Sequence, residues 1–225
     1  MAEKTKLWYL QNFNLFKEVE DPTLIEMAVK SHMNKAKKKE VIYFPEEQSN
    51  TVYLLKEGKI KISRISPDGQ SITLALLGPG DILGESAILG QDMHENIAEV
   101  VEDTYLCAIE KHDFQELLAR SNRLSRTINK YIGDRVRGVE SKVEDLVFKD
   151  ARTRVVDFLL TYMKTFGRKM VDLWEVRPFL THQEIAELTA TSRQTVNSIL
   201  NDLKSEGQID FSRQFLRIPD PERLK

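Results

Sequence analysis

Residues 181–203, THQEIAELTATSRQTVNSILNDL, carry the pattern that decides how the rest of the chain is read. Thr181 followed three residues later by Glu184 is a capping box, in which the threonine oxygen and the glutamate carboxylate each satisfy a backbone N–H at the start of a helix. Ile185, Ala186 and Leu188 give that helix an apolar side. Ser192 is placed to cap a second helix, in which Val196, Ile199, Leu200 and Leu203 recur at helical spacing. The two meet at the turn Thr189-Ala190-Thr191, and the small Ala186 lets them cross closely. Arg193, Gln194, Asn197 and Ser198 are left on the outward face of the second helix, with Asn201 further along. That face suits a DNA major groove: Arg pairs bidentately with guanine, Gln and Asn pair with adenine, and a helix N-terminus favours phosphate. Downstream, QIDFSRQFLRI at 208–218 reads as a hairpin wing from which Arg213 and Arg217 can reach a DNA backbone. Packed helices with a polar face occur in many domains, so the order of the upstream segments has to decide.

Immediately upstream, Asp150 opens a helical stretch, DARTRVVDFLLTYMKTFG, whose Val155, Val156, Phe158, Leu159, Leu160, Tyr162 and Met163 would pack a second core, with Gly167 at its C-terminal cap. GRKMVDLWEVRPFL then reads as a loop with short strands. Before Asp150, a helical period runs from Asp113 to Phe148. In it Ile132, Val136, Val139, Val143 and Leu146 recur at steps of four and three among Lys130, Arg135, Arg137, Glu140, Lys142 and Glu144. So narrow a seam on so charged a helix fits a two-stranded coiled coil better than an amphipathic helix packed within one chain. Gly138 would let the partner helix approach, at a helix-propensity cost of about 1 kcal/mol relative to Ala.

Between Glu40 and Glu110 the period shortens. VIYF, TVYLLKEG, KIKISRI, SITLALL, IAEVVED and TYLCAIE are β-rich runs, punctuated by Glu57-Gly58, Pro67-Asp68-Gly69, Gly78-Pro79-Gly80-Asp81 and Gly90, a spacing that predicts a small antiparallel barrel or sandwich. Gly84-Glu85-Ser86-Ala87-Ile88 follows the turn GPGDILG. A glycine there lets backbone approach a ligand, and the following carboxylate can accept a ribose hydroxyl. Residues 5–33 read as helical, with Asp21-Pro22-Thr23 starting a second helix and Leu24, Ile25, Met27 and Ala28 on its buried face. The basic run KAKKKE at 35–40 reads as a solvated connection.

The composition, 41% hydrophobic and 30% charged over 225 residues, is that of a globular protein. No apolar run approaches the roughly 20 residues that span a bilayer, and the opening MAEKTKLWYLQNFNLF lacks a signal-peptide core, so the expected location is cytoplasmic with no membrane partner. The lone Cys107, flanked by apolar residues, reads as a buried strand residue and leaves no thiolate set for a zinc or iron–sulfur site, so no metal is expected. Residues 1–149 carry 21 basic and 24 acidic side chains and residues 150–225 carry 12 and 11, so net charge does not announce DNA binding. No nucleophile–base pair or phosphate loop suggests an enzyme.

A barrel with Gly-Glu after a glycine-rich turn, then a heptad helix, then a helix-turn-helix resembles the Crp/Fnr family of bacterial transcription regulators. EGKIKI, GPGDILGE, VEDTYLCAI, ARTRVVDFLL and LTHQEIAELTATSRQTVNSILNDLKSEGQI carry the resemblance, which covers nearly the whole chain. It implies an α+β chain with an N-terminal jelly-roll β-barrel of the cyclic-nucleotide-binding type with N-terminal helices (1–112), a long dimerisation helix (113–149) and a C-terminal winged helix-turn-helix (150–225). It implies a homodimer on palindromic double-stranded DNA, partnered by RNA polymerase if it activates. Arg193, Gln194, Asn197 and Ser198 fall at base-contacting positions, and Thr181, His182 and Ser192 fall near phosphates. In the cyclic-AMP receptor the Gln194 position is Glu and the Ser198 position is Arg, so a different operator is expected. Ala190 stands where a glycine is common, which is tolerable if the backbone there need not be left-handed.

The family's effector pocket would draw on Gly84, Glu85 and Ser86. The Arg-Ser pair that holds the phosphate of cyclic AMP falls around His94-Glu95-Asn96, and the Thr-Ser pair that meets its base falls on Val139-Glu140. Glu95 repels a phosphate and no arginine occurs between Arg64 and Arg120, so cyclic AMP is not the expected effector and no cofactor is assigned. Haem stays open, although His32, His94, His112 and His182 are scattered and His94 reads as a surface residue. The alternative is a ligand-binding protein-interaction module without DNA binding.

Overall fold

The computed structural model describes residues 5–66, 68–69 and 71–224; Met1–Lys4 at the start of the chain and Pro67 of the expected Pro67-Asp68-Gly69 turn lie outside the described residues. Contacts divide the chain into two units, Met1–Gly138 and Val139–Lys225.

The first unit opens with α1 (Lys6–Gln11), capped by the Thr5 side chain, and α2 (Asp21–Lys30), which has proline in its first turn. Leu24, Met27 and Ala28 are buried as the spacing predicts, but Ile25 faces solvent. The helical reading of 5–33 also runs too far. From Ser31 the chain enters β1 (Ser31–Ala36), which pairs antiparallel along the far end of β6 (Ile97–Glu110). Lys35 therefore lies in a strand, with its ammonium over the Tyr105 ring.

The sheet runs β1-β6-β3-β4, with β3 at Thr51–Ile65 and β4 at Ser71–Leu77; β2 (Val41–Tyr43) pairs with β6, β5 (Ile82–Leu83) pairs with β3, and every pairing is antiparallel. The expected break at Glu57-Gly58 is not a turn. TVYLLKEG and KIKISRI form the single strand β3, and IAEVVED and TYLCAIE form the single strand β6. The pairing register shifts three times between Leu55 and Ile60. There Gly58 takes φ 92°, and a Cβ would strike the Asp103 carbonyl and Thr104. Such bulges change which face of a strand is buried. Val52 and Leu54 pack under the helices with Phe16, Met27, Cys107, Ile109 and Phe114, while Leu55, Ile60 and Ile62 pack inside the barrel with Tyr43, Leu83, Val100 and Leu106. One pair of long strands thus serves two cores, and Cys107 is buried on β6 as its flanks predict.

The helical period expected from Asp113 is two helices, α4 (Lys111–Arg120) and α5 (Asn122–Phe148), separated by Ser121 in an extended conformation. The Ser121 hydroxyl accepts from Leu124 N–H at 3.2 Å and donates to Glu20 at 3.1 Å, so a cap breaks the run.

In the second unit, Asp150 caps α6 (Ala151–Phe166), and Gly167 closes it in an extended conformation, where a Cβ would collide with the Met163 carbonyl. Val155, Val156, Leu159, Tyr162 and Met163 are buried, with the Tyr162 hydroxyl donating to Pro178 O at 2.9 Å, while Phe158 and Leu160 are half-buried. A small antiparallel sheet, ordered β7 (Arg168–Lys169), β8 (Trp174–Val176), β10 (Leu216–Ile218), β9 (Asp210–Phe211), flanks α7 (His182–Leu188) and α8 (Arg193–Ser205). No helix among the described residues is long and apolar enough to cross a membrane.

Candidate DNA interface and effector region

Both expected caps form. Thr181 Oγ1 accepts from Glu184 N–H at 3.2 Å, the Glu184 carboxylate accepts from Thr181 N–H at 2.7 Å, and Ser192 Oγ accepts from Thr195 N–H at 3.0 Å. These bonds fix where α7 and α8 begin. Val196, Ile199, Leu200 and Leu203 are buried on the inner side of α8, and Ile185 and Ala186 are buried on α7. The geometry leaves Arg193, Gln194, Asn197, Ser198 and Asn201 exposed along the other side of α8. His182, half-buried in the first turn of α7, lies edge-on to Phe211 and beside α8: burial and the Arg193 guanidinium lower its pKa, opposed by its hydrogen bond with Asn197. His182 thus links the two helices on the exposed side.

The turn between them holds a surprise. Ala190 takes φ 48°, the left-handed conformation in which a Cβ costs about 1–2 kcal/mol, so the condition under which alanine could replace glycine without strain is not met. The strained turn is held from outside by Arg154 on α6. Its Nε donates to Thr189 O at 2.9 Å, and its two terminal nitrogens reach Ala190 O at 3.1 Å and Lys149 O at 2.7 Å. Sequence reading passes over Arg154, because a side chain bonding backbone thirty-five residues away leaves no local pattern. Relief of the strain gives a prediction. Ala190→Gly should stabilise the second unit by about 0.5–1 kcal/mol, the strain removed less the extra chain entropy of glycine. Urea denaturation followed by Trp174 fluorescence reads it, and an unchanged or lowered midpoint refutes it.

On the wing, Arg213 is exposed at the turn closed by Ser212 N–H to Phe215 O at 2.9 Å. Arg217, expected at the DNA backbone, is committed elsewhere: it donates to Glu175 at 2.7 Å and stacks over Phe215 at 4.2 Å. Arg177 shares that carboxylate at 2.7 Å, and the two guanidiniums pull the Glu175 pKa down to about 2. Strand register sets Arg168 opposite Glu175, Glu175 opposite Arg217, and Arg217 opposite Asp210, which Lys204 meets at 2.7 Å.

Along α5, Val136, Val139, Val143 and Leu146 are all more than half exposed, and the exposed run continues into Val147 and Phe148, which the heptad count missed. Ile132 departs from this seam, because it is half-buried against the first unit's own core.

In the barrel, Gly84 takes φ 80°, and a Cβ would strike the Thr51 carbonyl, so the glycine is required by close backbone approach. Glu85 opens α3 (Glu85–Ile88), with Ser86 buried beside it. One Glu85 oxygen lies 3.5 Å from Arg135, and the other is buried without a hydrogen-bond partner. Arg135 also donates to Ile82 O at 3.2 Å, and the Tyr131 hydroxyl bridges the Ile82 N–H and C=O at 3.0 Å each, tying α5 to the turn. Two readings of this region change. His94 is buried, not superficial, and stacks on Tyr43 with ring centres 3.7 Å apart; burial lowers its pKa. Glu95 is not a bare charge: Arg64 reaches across from β3 to Glu95 at 2.6 Å and to Asn96 at 3.0 Å. Val139 and Glu140 are exposed on α5. Among the described residues no three His, Cys, Asp or Glu side chains are grouped to hold a metal ion.

Comparison with known proteins bears on both units. Residues 33–121 match the cyclic nucleotide-binding domain, and residues 153–225 match the Crp-like helix-turn-helix domain. The cyclic AMP receptor protein of Thermus thermophilus is 33% identical over 168 residues, spanning 75% of this chain and 74% of that protein. The CRP-like cAMP-activated global transcriptional regulator of Mycobacterium tuberculosis is 30% identical over 178 residues, 79% of this chain and 80% of that one. Among solved structures, a transcriptional regulator of the CRP family from Thermus thermophilus superposes with a TM-score of 0.72 at 27% identity, covering 85% of this chain and 94% of that one.

Proposed function

Because the chain belongs to the Crp/Fnr family of DNA-binding transcription regulators, we propose that it works as a homodimer reading an imperfect palindrome with α8, under a small-molecule effector other than cyclic AMP. Family membership gives the second unit a role on DNA, which removes the alternative of an interaction module without it.

The exposed polar face of α8 carries the proposal. We assign Arg193, Gln194, Asn197 and Ser198 to base edges, and Thr181, His182, Ser192 and Arg213 to phosphates. Val136, Val139, Val143 and Leu146 form the dimer seam with Ile132 at its margin. The assignment divides the chain into a sensor (1–112), a dimerisation segment (113–149) and a DNA-binding domain (150–225). Two recognition helices about one DNA turn apart, ~34 Å, require a palindromic operator. RNA polymerase is the further partner if the protein activates.

For the effector, the candidate region lies in the first unit at Gly84, Glu85, Ser86, Glu95 and Asn96. Relatives named for cyclic AMP argue for that nucleotide, but the residues here argue against it. The place of the phosphate-binding arginine holds Glu95, and Arg64 is spent neutralising it. A phosphate anion there would compete with Glu95 for Arg64, which is already paired with that carboxylate.

The test is selection of bound duplexes from random DNA by the purified protein, with and without cyclic AMP and cell metabolites. A palindrome is expected, with no tightening by cyclic AMP; tightening at physiological concentration rejects the effector proposal, and a non-palindromic site rejects the dimer. On the selected site, Arg193→Ala should lose roughly 1–3 kcal/mol and relax preference at one base per half-site. An unaltered preference would reject the role given to Arg193.

A further inference from the structure

Two residues, Lys149 and Asp150, join the end of α5 to the start of α6. Lys149 is engaged at both of its ends. Its ammonium meets Asp145 on α5 at 2.7 Å and Asp157 on α6 at 2.8 Å, and its carbonyl accepts from the Arg154 guanidinium at 2.7 Å. One cation shared by carboxylates from two helices fixes how the helices meet, because its loss leaves Asp145 and Asp157 close together with like charge. The same two carboxylates raise the Lys149 pKa above the ordinary lysine value, so the clamp keeps its charge.

Helix α8 is held in turn from the first turn of α6. Arg152 donates to Glu206, the C-cap of α8, at 2.9 Å, and two Arg154 nitrogens hold the Thr189 and Ala190 carbonyls in the turn before α8. Guanidinium donors are planar and fixed relative to one another, so displacing one Arg154 acceptor disturbs the bonds to the other two. The acceptor on the α5 side is the backbone carbonyl of residue 149, which any residue supplies. A change in the Lys149 side chain therefore reaches the recognition turn by moving that carbonyl.

We propose that Lys149, outside the helix-turn-helix, is a positioning residue for the DNA-reading turn and acts through Arg154. The role rests on the reading of α8 as the helix that enters the groove. Ala190 makes the turn responsive, since its left-handed backbone stores strain that the arginine bonds oppose. The clamp is about one-third exposed, so dissolved ions screen it, and the order of the turn should follow ionic strength before any DNA is present.

Hydrogen exchange on the free full-length chain, followed over Ile185–Val196, tests the coupling apart from DNA binding, with unchanged barrel amides as the check on folding. Lys149→Met keeps the length of the side chain and removes its charge. It should quicken exchange in that segment about two- to fivefold, as expected for loss of partly exposed ion pairs. Asp157→Asn, which opens only the α6 arm, should act in the same direction, and Lys149→Arg should restore protection. Raising sodium chloride from about 0.1 M to about 1 M should quicken the wild-type segment but not that of Lys149→Met. In Arg154→Ala the Lys149→Met change should add little, because the route is already cut. Coupled exchange in a protein that selects no DNA would overturn the groove reading alone. Exchange over Ile185–Val196 unchanged in Lys149→Met, or full additivity with Arg154→Ala, overturns the role given to Lys149.

Discussion

Replacing Val143 with glutamate is expected to leave the protein monomeric and its operator affinity lowered at least a hundredfold. In an isologous interface one substitution acts twice, and in a parallel two-stranded coil the two introduced carboxylates face each other. Burying a valine is worth roughly 1.5–3 kcal/mol, so two lost valines forfeit about 3–6 kcal/mol before the cost of desolvating two like charges. By the relation of 1.4 kcal/mol per tenfold, that weakens association by two to four decades. A monomer then holds one half-site and loses the effective concentration that joins the second helix to its own half. Sedimentation velocity and footprinting at matched protein concentration read both effects. A Val143→Glu protein that sediments as a dimer would remove α5 as the seam.

Arg154→Ala is expected to loosen the recognition turn, at a cost of about 3–6 kcal/mol. Hydrogen bonds from a charged donor contribute roughly 1.5–3 kcal/mol, and Arg154 makes three, with the one to Ala190 exposed and discounted accordingly. The loss falls where Ala190 already stores strain. Hydrogen exchange should therefore quicken first in Ile185–Val196, with the barrel amides unchanged. Arg154→Lys keeps the charge but cannot span three carbonyls from one planar fork, and should recover less than half the protection. Exchange unchanged in Arg154→Ala would show that the helix contacts alone hold the turn.

The second unit was more legible in sequence than the first, for physical reasons. Caps act through bonds three residues apart, so Thr181, Glu184, Ser192 and Asp150 announce themselves locally and the helices start where they predict. Period 3.6 fixed the inner face of α8. The barrel is different. A bulge at Gly58 looks like a turn in one dimension, and only pairing with Asp103 and Thr104 reveals that the strand continues. Tertiary bonds left no trace either: Arg64 to Glu95, Arg135 to Glu85 and Arg154 to Thr189 join residues far apart in the chain. His94 read as superficial because its neighbours are polar, yet stacking on Tyr43 buries it. The break at Ser121 hides within a helical period because the cap and its neighbours keep helical composition.

The alternating row Arg168, Glu175, Arg217, Asp210 and Lys204 across the wing has a consequence for how the sheet avoids misfolding. Its strands are two or three residues long, too short for backbone bonds alone to choose among alignments. Sliding β10 by two residues toward the Arg177 end of β8 keeps Leu216 and Ile218 facing inward but sets Arg217 against Arg177, and the alignment is penalised by like charge. Arg217 therefore favours the native alignment by roughly 0.2–1 kcal/mol, adding to what the buried Leu216 and Ile218 supply.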